Sequence, residues 1–456
     1  MIAKLGRTVS RLSERYVPSP FVLALFLTLL TFGVGFGFGR EMAGLGPLAR
    51  LAELWTGWYA DFYGTGLMKF ALQMCIVLIT GHALARSRPV RRGIEAIAGV
   101  ATSPKAAVFI VALVACLASL VQWGLGAIVG AFMAREMGRA FDRNDRMVHY
   151  PLLGAAGYAG FLVWHSGFSG SAPLKVAEKG HFVEDLIGVV PVAETLLSPL
   201  NLIVTGTMLV VIPTLFWALM PTDPAEMTLP SFDEDDGRTL GSEPTDRSHP
   251  VVHRLEHGRA LNLTVAAVLF GFLGYYFGTN GMAGWNLDSI NLLFLAAGIG
   301  LYPSPDAYAD AIADGVRGAA GIILQFPFYF GILGLLKASG LIEQIAEFFV
   351  HVSTQATFPI FTFLSAGIVN FLVPSGGGQW AVQGQVMMEA ANSLGVRPAE
   401  AIMAFSYGDA WTNMLQPFWA LPLLGIMELE ARDIIGYTAL VMLVTGPLFM
   451  GLLYVL

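Results

Sequence analysis

Two stretches decide how this chain is read. The first runs Tyr158-Ala-Gly-Phe-Leu-Val-Trp-His165-Ser-Gly-Phe-Ser-Gly170-Ser-Ala-Pro173-Leu174. The second runs Tyr407-Gly-Asp409-Ala-Trp-Thr-Asn413-Met-Leu-Gln416-Pro417-Phe-Trp-Ala-Leu-Pro422-Leu423. Tyr158 and Tyr407 lie 249 positions apart (407 − 158), and Pro173/Pro422 and Leu174/Leu423 repeat that spacing. Each stretch interrupts an apolar segment with polar residues, Gly and Pro. Helices broken at corresponding places in two halves of a chain are the best sequence pointer to the binding site of a secondary transporter.

Composition supports a membrane setting. Hydrophobic residues make up 55% and charged residues 13%, against roughly 25% charged in soluble domains. With a mean hydropathy of +0.63, a water-soluble globular protein is excluded. A spanning helix takes roughly 17–25 residues. Candidates are Pro20–Phe38, Gly66–Ala85, Tyr150–Gly167, Pro199–Met220, Ala260–Gly278, Ser289–Tyr302, Gly318–Leu336, Ala401–Phe418 and Ile434–Leu456. Lys105–Arg135 and Thr357–Met388 each hold a pair of shorter apolar arms. Lys4, Arg7, Arg11 and Arg15 precede the first apolar run, with no clean cleavage site after it, so that run is expected to stay as an uncleaved first helix. Cys75 and Cys116 lie in apolar segments without metal-ligand spacing and read as structural thiols.

Most of the net charge of −7 is local: Pro221–Gly258 holds nine acidic residues against three arginines. This segment, with Asp233-Glu-Asp-Asp236, reads as a solvated linker. His249, His253 and His257 fall at four-residue spacing there, but Pro250 and the polar context favour a solvated segment over a metal site. Basic residues cluster at the N-terminus, at Arg86–Arg92 and from Arg135 to Arg146, which places these on the cytoplasmic side. The second half then starts on the opposite face from the first. The expected fold is an all-α polytopic membrane protein of two inverted-topology repeats, with paired hairpins, re-entrant or fully crossing, and broken helices. The expected divisions are a first transmembrane repeat (1–220), a cytoplasmic acidic linker (221–258), an extra transmembrane helix (259–285) and a second repeat (286–456).

Two hairpin turns and two broken helices are expected to converge near the midplane. The first turn is Gln122-Trp123-Gly124, and the second spans Asn370 through Pro374-Ser375-Gly376-Gly377-Gly378-Gln379. The glycine run is not expected to remain a regular helix, since each Gly costs about 1 kcal/mol relative to Ala. Irregular backbone at membrane depth is tolerated only where it is buried or lines a cavity. Free amides at such breaks suit an anion, with Ser166, Ser169, Gly170, Ser171, Ser375 and Gln416 adding polar contacts. No Lys or Arg lies deep within any candidate span, which suits a small singly charged acid. Trp123, Trp164, Phe168, Trp380, Trp411 and Phe418 could pack a short acyl chain, although for any one of them plain core or lipid-facing packing is the simpler reading.

Asp409 is the one acidic residue well inside a candidate span. Placing such a residue at a helix centre costs about 2.5–3.5 kcal/mol on insertion scales. It is expected to carry a proton, or to ligate Na+ with Thr412, Asn413 and exposed carbonyls. The simpler alternative is a neutral, hydrogen-bonded Asp that holds helices together. His165 reads equally well as a functional or a packing residue.

Several motifs carry a family resemblance: Leu29-Leu-Thr-Phe32, Thr80-Gly-His-Ala-Leu-Ala85, Phe168-Ser-Gly-Ser171, Gln325-Phe-Pro-Phe-Tyr329, Val373-Pro-Ser-Gly-Gly-Gly378 and Gln416-Pro-Phe-Trp-Ala-Leu-Pro422. In these, spread nearly end to end, the chain resembles the bacterial short-chain fatty acid transporters of the ion transporter superfamily. The resemblance implies uptake of short monocarboxylate anions such as butyrate or acetoacetate across a bacterial inner membrane. It also implies coupling to H+ or Na+, no other cofactor, a lipid bilayer and no nucleic acid as partner, and often a homodimer. The family pattern has Gly at the position of His165 and Glu at that of Asp409, so the chain departs from it at both.

Rival readings are another organic anion, Na+/H+ exchange or a passive channel. From a different class, Gly167-Phe168-Ser169-Gly170 matches the Gly-x-Ser-Gly of intramembrane serine proteases. That chemistry needs a base within reach of the serine, and His165 is too close in sequence to be placed there easily. The expectation is a carrier and not an enzyme.

Overall fold

The structure is a computed structural model that describes residues 18–230, 232, 250–284, 286–372 and 376–456. The helices are, in order, α1 (Pro20–Phe38), α2 (Pro47–Phe62), α3 (Thr65–Arg86), α4 (Arg88–Gly99), α5 (Pro104–Val121), α6 (Trp123–Asp142), α7 (Tyr150–Tyr158), α8 (Ser171–Val176), α9 (Glu184–Ile187) and α10 (Pro199–Leu219). There follow α11 (Pro250–His257), α12 (Arg259–Asn280), α13 (Leu287–Leu301), α14 (Pro305–Ser339), α15 (Leu341–His351), α16 (Phe358–Leu372), α17 (Gly376–Leu394), α18 (Pro398–Thr412), α19 (Pro417–Met427) and α20 (Ala431–Val455). No strand occurs among the described residues. Among the described residues, seven helices are long and apolar enough to cross a membrane: α1, α3, α5, α10, α12, α14 and α20.

The helix starts follow from local chemistry. Ser103, Ser198 and Ser304 each precede a proline, and each hydroxyl accepts an amide of the first turn at 3.1–3.2 Å. Serine satisfies an amide that has no partner within the helix, and proline at the first position removes another.

One group of helices, α1, α2 and α3, packs along α14, with α13 against α3 and α12 against α13. The 35 residues of α14 span about 52 Å at 1.5 Å per residue. Only its apolar part, Gly318–Leu336, was expected; the helix also takes in the charged start from Pro305, where Asp314 pairs with Arg86. Helices α2, α4 and α15 were not expected at all. They carry too many polar residues to read as spans, yet α2 packs on α14 and α15 packs on α16 and α17.

The second group holds both hairpins and both broken helices. Helices α5 and α6 form the first hairpin and α16 and α17 the second. The first broken helix is α7, two 3-10 turns (Ala159–Leu162 and Trp164–Ser166) and α8. The second is α18, one 3-10 turn (Asn413–Leu415) and α19. The turns at Trp164 and Asn413 keep the 249-residue spacing (413 − 164). The broken helices run antiparallel, with α7 against α19 and α8 against α18, as inverted repeats require. Helix α6 approaches α7 so closely that a Cβ on Gly130 would strike the Gly157 carbonyl.

Three expectations change. The glycine run does not break a helix: Gly376, Gly377 and Gly378 form the first turn of α17, where amides need no partner four residues back. Helix α6 continues past Arg135, so Arg135, Glu136 and Arg139 stand within it, and Glu136 and Arg139 pair at 2.6 Å while buried. Pro250 opens α11 instead of preventing a helix, and the rings of His253 and His257 stack at 4.5 Å. The beginning of the acidic segment is docked: the Tyr150 amide donates to the Thr228 carbonyl at 2.8 Å, and Phe232 packs on Tyr150. Met1–Val17, Asp233–Asp236 and His249 lie outside the described residues. The free thiols of Cys75 and Cys116 are both buried.

Candidate substrate and ion site

The two breaks are stitched together by side chains from each half. Tyr158, the last residue of α7, donates its hydroxyl proton to the carbonyls of Asn413 at 2.7 Å and Gln416 at 3.0 Å. These carbonyls belong to the second break, where the helix no longer supplies partners. Tyr407 of α18 returns the arrangement, its hydroxyl 3.0 Å from Asn201 Oδ1 while Asn201 Nδ2 donates to the Ser166 carbonyl at 3.0 Å.

The first hairpin turn docks on the first break. Gln122 caps α6, its Oε1 accepting the Leu125 amide at 2.7 Å, and a Cβ on Gly124 would meet that oxygen at 3.0 Å. The Trp123 amide donates to Ser169 Oγ at 3.0 Å, and the Phe168 amide donates to the Leu120 carbonyl at 2.8 Å. The indole of Trp123 packs edge-on to Trp419 of α19 at 5.1 Å and to Trp164 at 6.3 Å.

The second hairpin docks on the second break through Asn370. Its buried Nδ2 lies 2.6 Å from the Asp409 carbonyl, 2.8 Å from Asn413 Oδ1 and 3.0 Å from Thr412 Oγ1. Gln416 Nε2 donates to the Asn370 carbonyl, and the Thr412 hydroxyl donates to the Gly367 carbonyl at 2.8 Å.

The halves meet most intimately at His165 and Asp409. His165 Nε2 stands 2.9 Å from Asp409 Oδ1, and the side chains are 0% and 1% exposed. Gly376 seats on this pair: a Cβ there would fall 2.6 Å from His165 Nε2. A Cβ on Gly377 would come to 3.9 Å from Ser171, so the start of α17 faces Gly170 and Ser171 at the start of α8. Around this junction His165 Nδ1, Trp164 Nε1, Asp409 Oδ2, Asn370 Oδ1, Asn413 Nδ2 and Gln416 Oε1 are buried without a protein partner. Native interiors leave only a few such atoms per hundred residues, so their concentration here makes this junction the candidate site.

Most expected site residues therefore come together. Gln379 does not: its Nε2 donates to the Ala366 carbonyl and to Gln383 Oε1, both at 2.8 Å, which ties α17 to α16. Gly378 follows Gly377 on the first turn of α17. Ser375 lies outside the described residues. Of the aromatic residues singled out, Trp380 packs on Phe405, Trp411 donates to the Met442 carbonyl, and Phe418 stacks on Phe326 of α14. Trp380 and Phe418 are core residues, and the partly buried Trp411 packs against the core. Tyr158, Asn201 and Trp419 were missing from the expected site, and His165 had been left open between function and packing. The signal for Tyr158 was its place at the head of the repeated stretch. No group of three or more His, Cys, Asp or Glu able to hold a metal ion occurs among the described residues.

A separate cavity of about 1020 Å³ opens between the two helix groups, lined by His82, Arg135, Asp314, Arg317, Gln325 and Glu428 among others. None of the expected site residues lines it.

A family model described as short chain fatty acid transporter matches residues 1–456. A protein of Escherichia coli (strain K12), named as a candidate short-chain fatty acid transporter, is 38% identical over 450 residues, covering 98% of each chain. One of the same name from Haemophilus influenzae is 35% identical over 468 residues, covering 100% of each. Among solved structures, the YdaH transporter of Alcanivorax borkumensis is 15% identical with a TM-score of 0.43, covering 96% of this chain and 98% of its own. MtrF of Neisseria gonorrhoeae is 15% identical with a TM-score of 0.35 and 97% of each chain covered. Both scores are too low to argue from. By the family match and the two full-length relatives, this chain belongs to the short-chain fatty acid transporter family.

Proposed function

We infer that the protein takes up short monocarboxylates such as butyrate or acetoacetate across a bacterial inner membrane, driven by a coupling cation. The observation that carries this reading is the cluster of unpartnered buried polar atoms where two antiparallel broken helices meet two hairpin turns. None of the residues gathered there is Lys or Arg. A dianion would recruit such a residue, whereas one carboxylate can be held by amides, hydroxyls and a helix N-terminus. Gly376 opens the 19-residue helix α17 at this junction. Trp123, Trp164 and Trp419 lie alongside and suit a short acyl chain.

The protease reading finds no support in the geometry. Ser169 Oγ accepts the Trp123 amide proton, and His165, the nearest histidine in sequence, turns Nε2 to Asp409. We take the protein to be a carrier and not an enzyme. The test is uptake of labelled butyrate into proteoliposomes with a proton gradient, a sodium gradient or neither, against protein-free vesicles. Accumulation above equilibrium under one gradient is expected. Equilibration without accumulation would make the protein a channel, and no uptake would remove short monocarboxylates as its cargo.

A further inference from the structure

We propose that His165 and Asp409 together carry the coupling proton, so that this protein is an H+ symporter and not a Na+ symporter. The proposal rests on the functional reading above and adds the identity of the ion and a role for His165, which the sequence left open between function and packing.

The argument begins with charge. Asp409 is fully enclosed, and an enclosed carboxylate needs a compensating partner or a proton. Its one hydrogen-bonding side-chain partner among the described residues is an imidazole, the group that gains or loses a proton nearest to neutral pH. An imidazole nitrogen at 2.9 Å from Oδ1 is a proton partner. It is a poor neighbour for Na+, which prefers a shell of oxygens, and a protonated ring there would repel the ion.

Two more atoms complete the device. Asp409 Oδ2 and His165 Nδ1 are buried and unpartnered, so each can take part in further proton or anion exchange while the Nε2–Oδ1 bond stays intact. The other titratable and charged groups on elements packed around the pair are Lys105 and Cys116 on α5, Lys175 on α8, Glu389 on α17, Glu400 and Tyr407 on α18, and Arg432, Asp433, Tyr437 and Tyr454 on α20. None of them bonds to His165 or Asp409. Lys175 is half exposed and pairs with Glu178 at 2.7 Å.

The charge states then give the direction of coupling. Neutral His165 beside ionised Asp409 holds one negative charge, and a carboxylate substrate arriving next to it would make two. Like charges disfavour each other, so the substrate raises the proton affinity of the pair. By reciprocity the proton raises the substrate affinity by the same factor. One proton taken from the outer solution cancels the added charge and is released with the substrate to water on the other face. Coupling of this kind amounts to about 5–150-fold in affinity, so apparent affinity for butyrate should fall as pH rises.

The experiment uses the full chain in proteoliposomes with labelled butyrate, always against protein-free vesicles because the neutral acid leaks. Expected is accumulation driven by an acidic exterior without sodium, none driven by a sodium gradient, and an apparent affinity that weakens about tenfold or more across the pH range. Asp409→Asn should purify as a single species with wild-type helix content, which shows that it folds, and lose gradient-driven accumulation. His165→Gln should fold likewise and flatten the pH dependence of whatever uptake remains, an effect that a purely structural residue would not produce. Sodium-driven accumulation, or an Asp409→Asn variant that still accumulates with the proton gradient, would overturn the proposal. An infrared titration of the purified protein needs no substrate: a carboxylic-acid carbonyl band that titrates in the wild type and vanishes in Asp409→Asn is expected. Its absence overturns the proton site. If the wild type exchanges no short monocarboxylate, the functional reading fails, and the infrared titration alone decides the proposal.

Discussion

Replacing Asn370 by Ala tests whether the second hairpin is locked onto the second break. Its Nδ2 faces the Asp409 carbonyl at 2.6 Å, Asn413 Oδ1 at 2.8 Å and Thr412 Oγ1 at 3.0 Å. An amide nitrogen carries two hydrogens, so it satisfies two of these acceptors at a time. Thr412 keeps its bond to Gly367 in the variant, which leaves the Asp409 carbonyl and Asn413 Oδ1 without a donor. Side-chain hydrogen bonds inside membrane proteins contribute about 0.6 kcal/mol on average and up to about 1.7 kcal/mol each. Two of them predict a loss of roughly 1.2–3.4 kcal/mol, readable by titrating the purified protein with denaturing detergent.

Transport should suffer beyond stability. The hairpin positions Gly376 against His165, and about 1.4 kcal/mol of lost positioning corresponds to tenfold in rate. Butyrate uptake is therefore expected to fall about tenfold or more. Asn370→Asp keeps the shape but sets a carboxylate against three oxygens, and should transport less than the alanine variant. The reasoning fails if Asn370→Ala unfolds within about 0.5 kcal/mol of the wild type with unchanged uptake. It fails equally if Asn370→Asp is the better carrier.

Two further substitutions probe the same junction. Gly376→Ala places a methyl group 2.6 Å from His165 Nε2, and since Asp409 holds that ring, uptake should collapse while the stability loss stays near about 1–3 kcal/mol. Adding His165→Ala should restore stability, measured as a double-mutant cycle, without restoring proton-driven accumulation. Tyr158→Phe removes the donor shared by the Asn413 and Gln416 carbonyls. A loss of about 0.6–1.7 kcal/mol and a lower maximal uptake rate, with little change in substrate affinity, are expected.

Much of the architecture could be read from residues in order. Apolar length named the long spans, and the 249-residue spacing located two breaks whose 3-10 turns keep that register. Signals failed where a helix is half polar. Helices α2 and α15 bury one face against neighbours, and with α4 they fall below any average built for lipid-facing spans. The Gly376–Gly378 run was misread because the cost of glycine applies in helix interiors, and these residues open a helix.

What the sequence by itself determined is a polytopic helical protein with a repeated break, an acid at the second break and family motifs along its length. Apolar run length, proline and glycine placement and motif spacing are all local quantities, and they survive in one dimension. Only the tertiary structure decided that His165 and Asp409, 244 residues apart, share a hydrogen bond. It also decided that Tyr158 of one repeat closes the break of the other, and that Gln379 serves a hairpin instead of the site. Those outcomes depend on two repeats packing antiparallel, so that the start of each half meets the end of its counterpart. No linear spacing records that crossing.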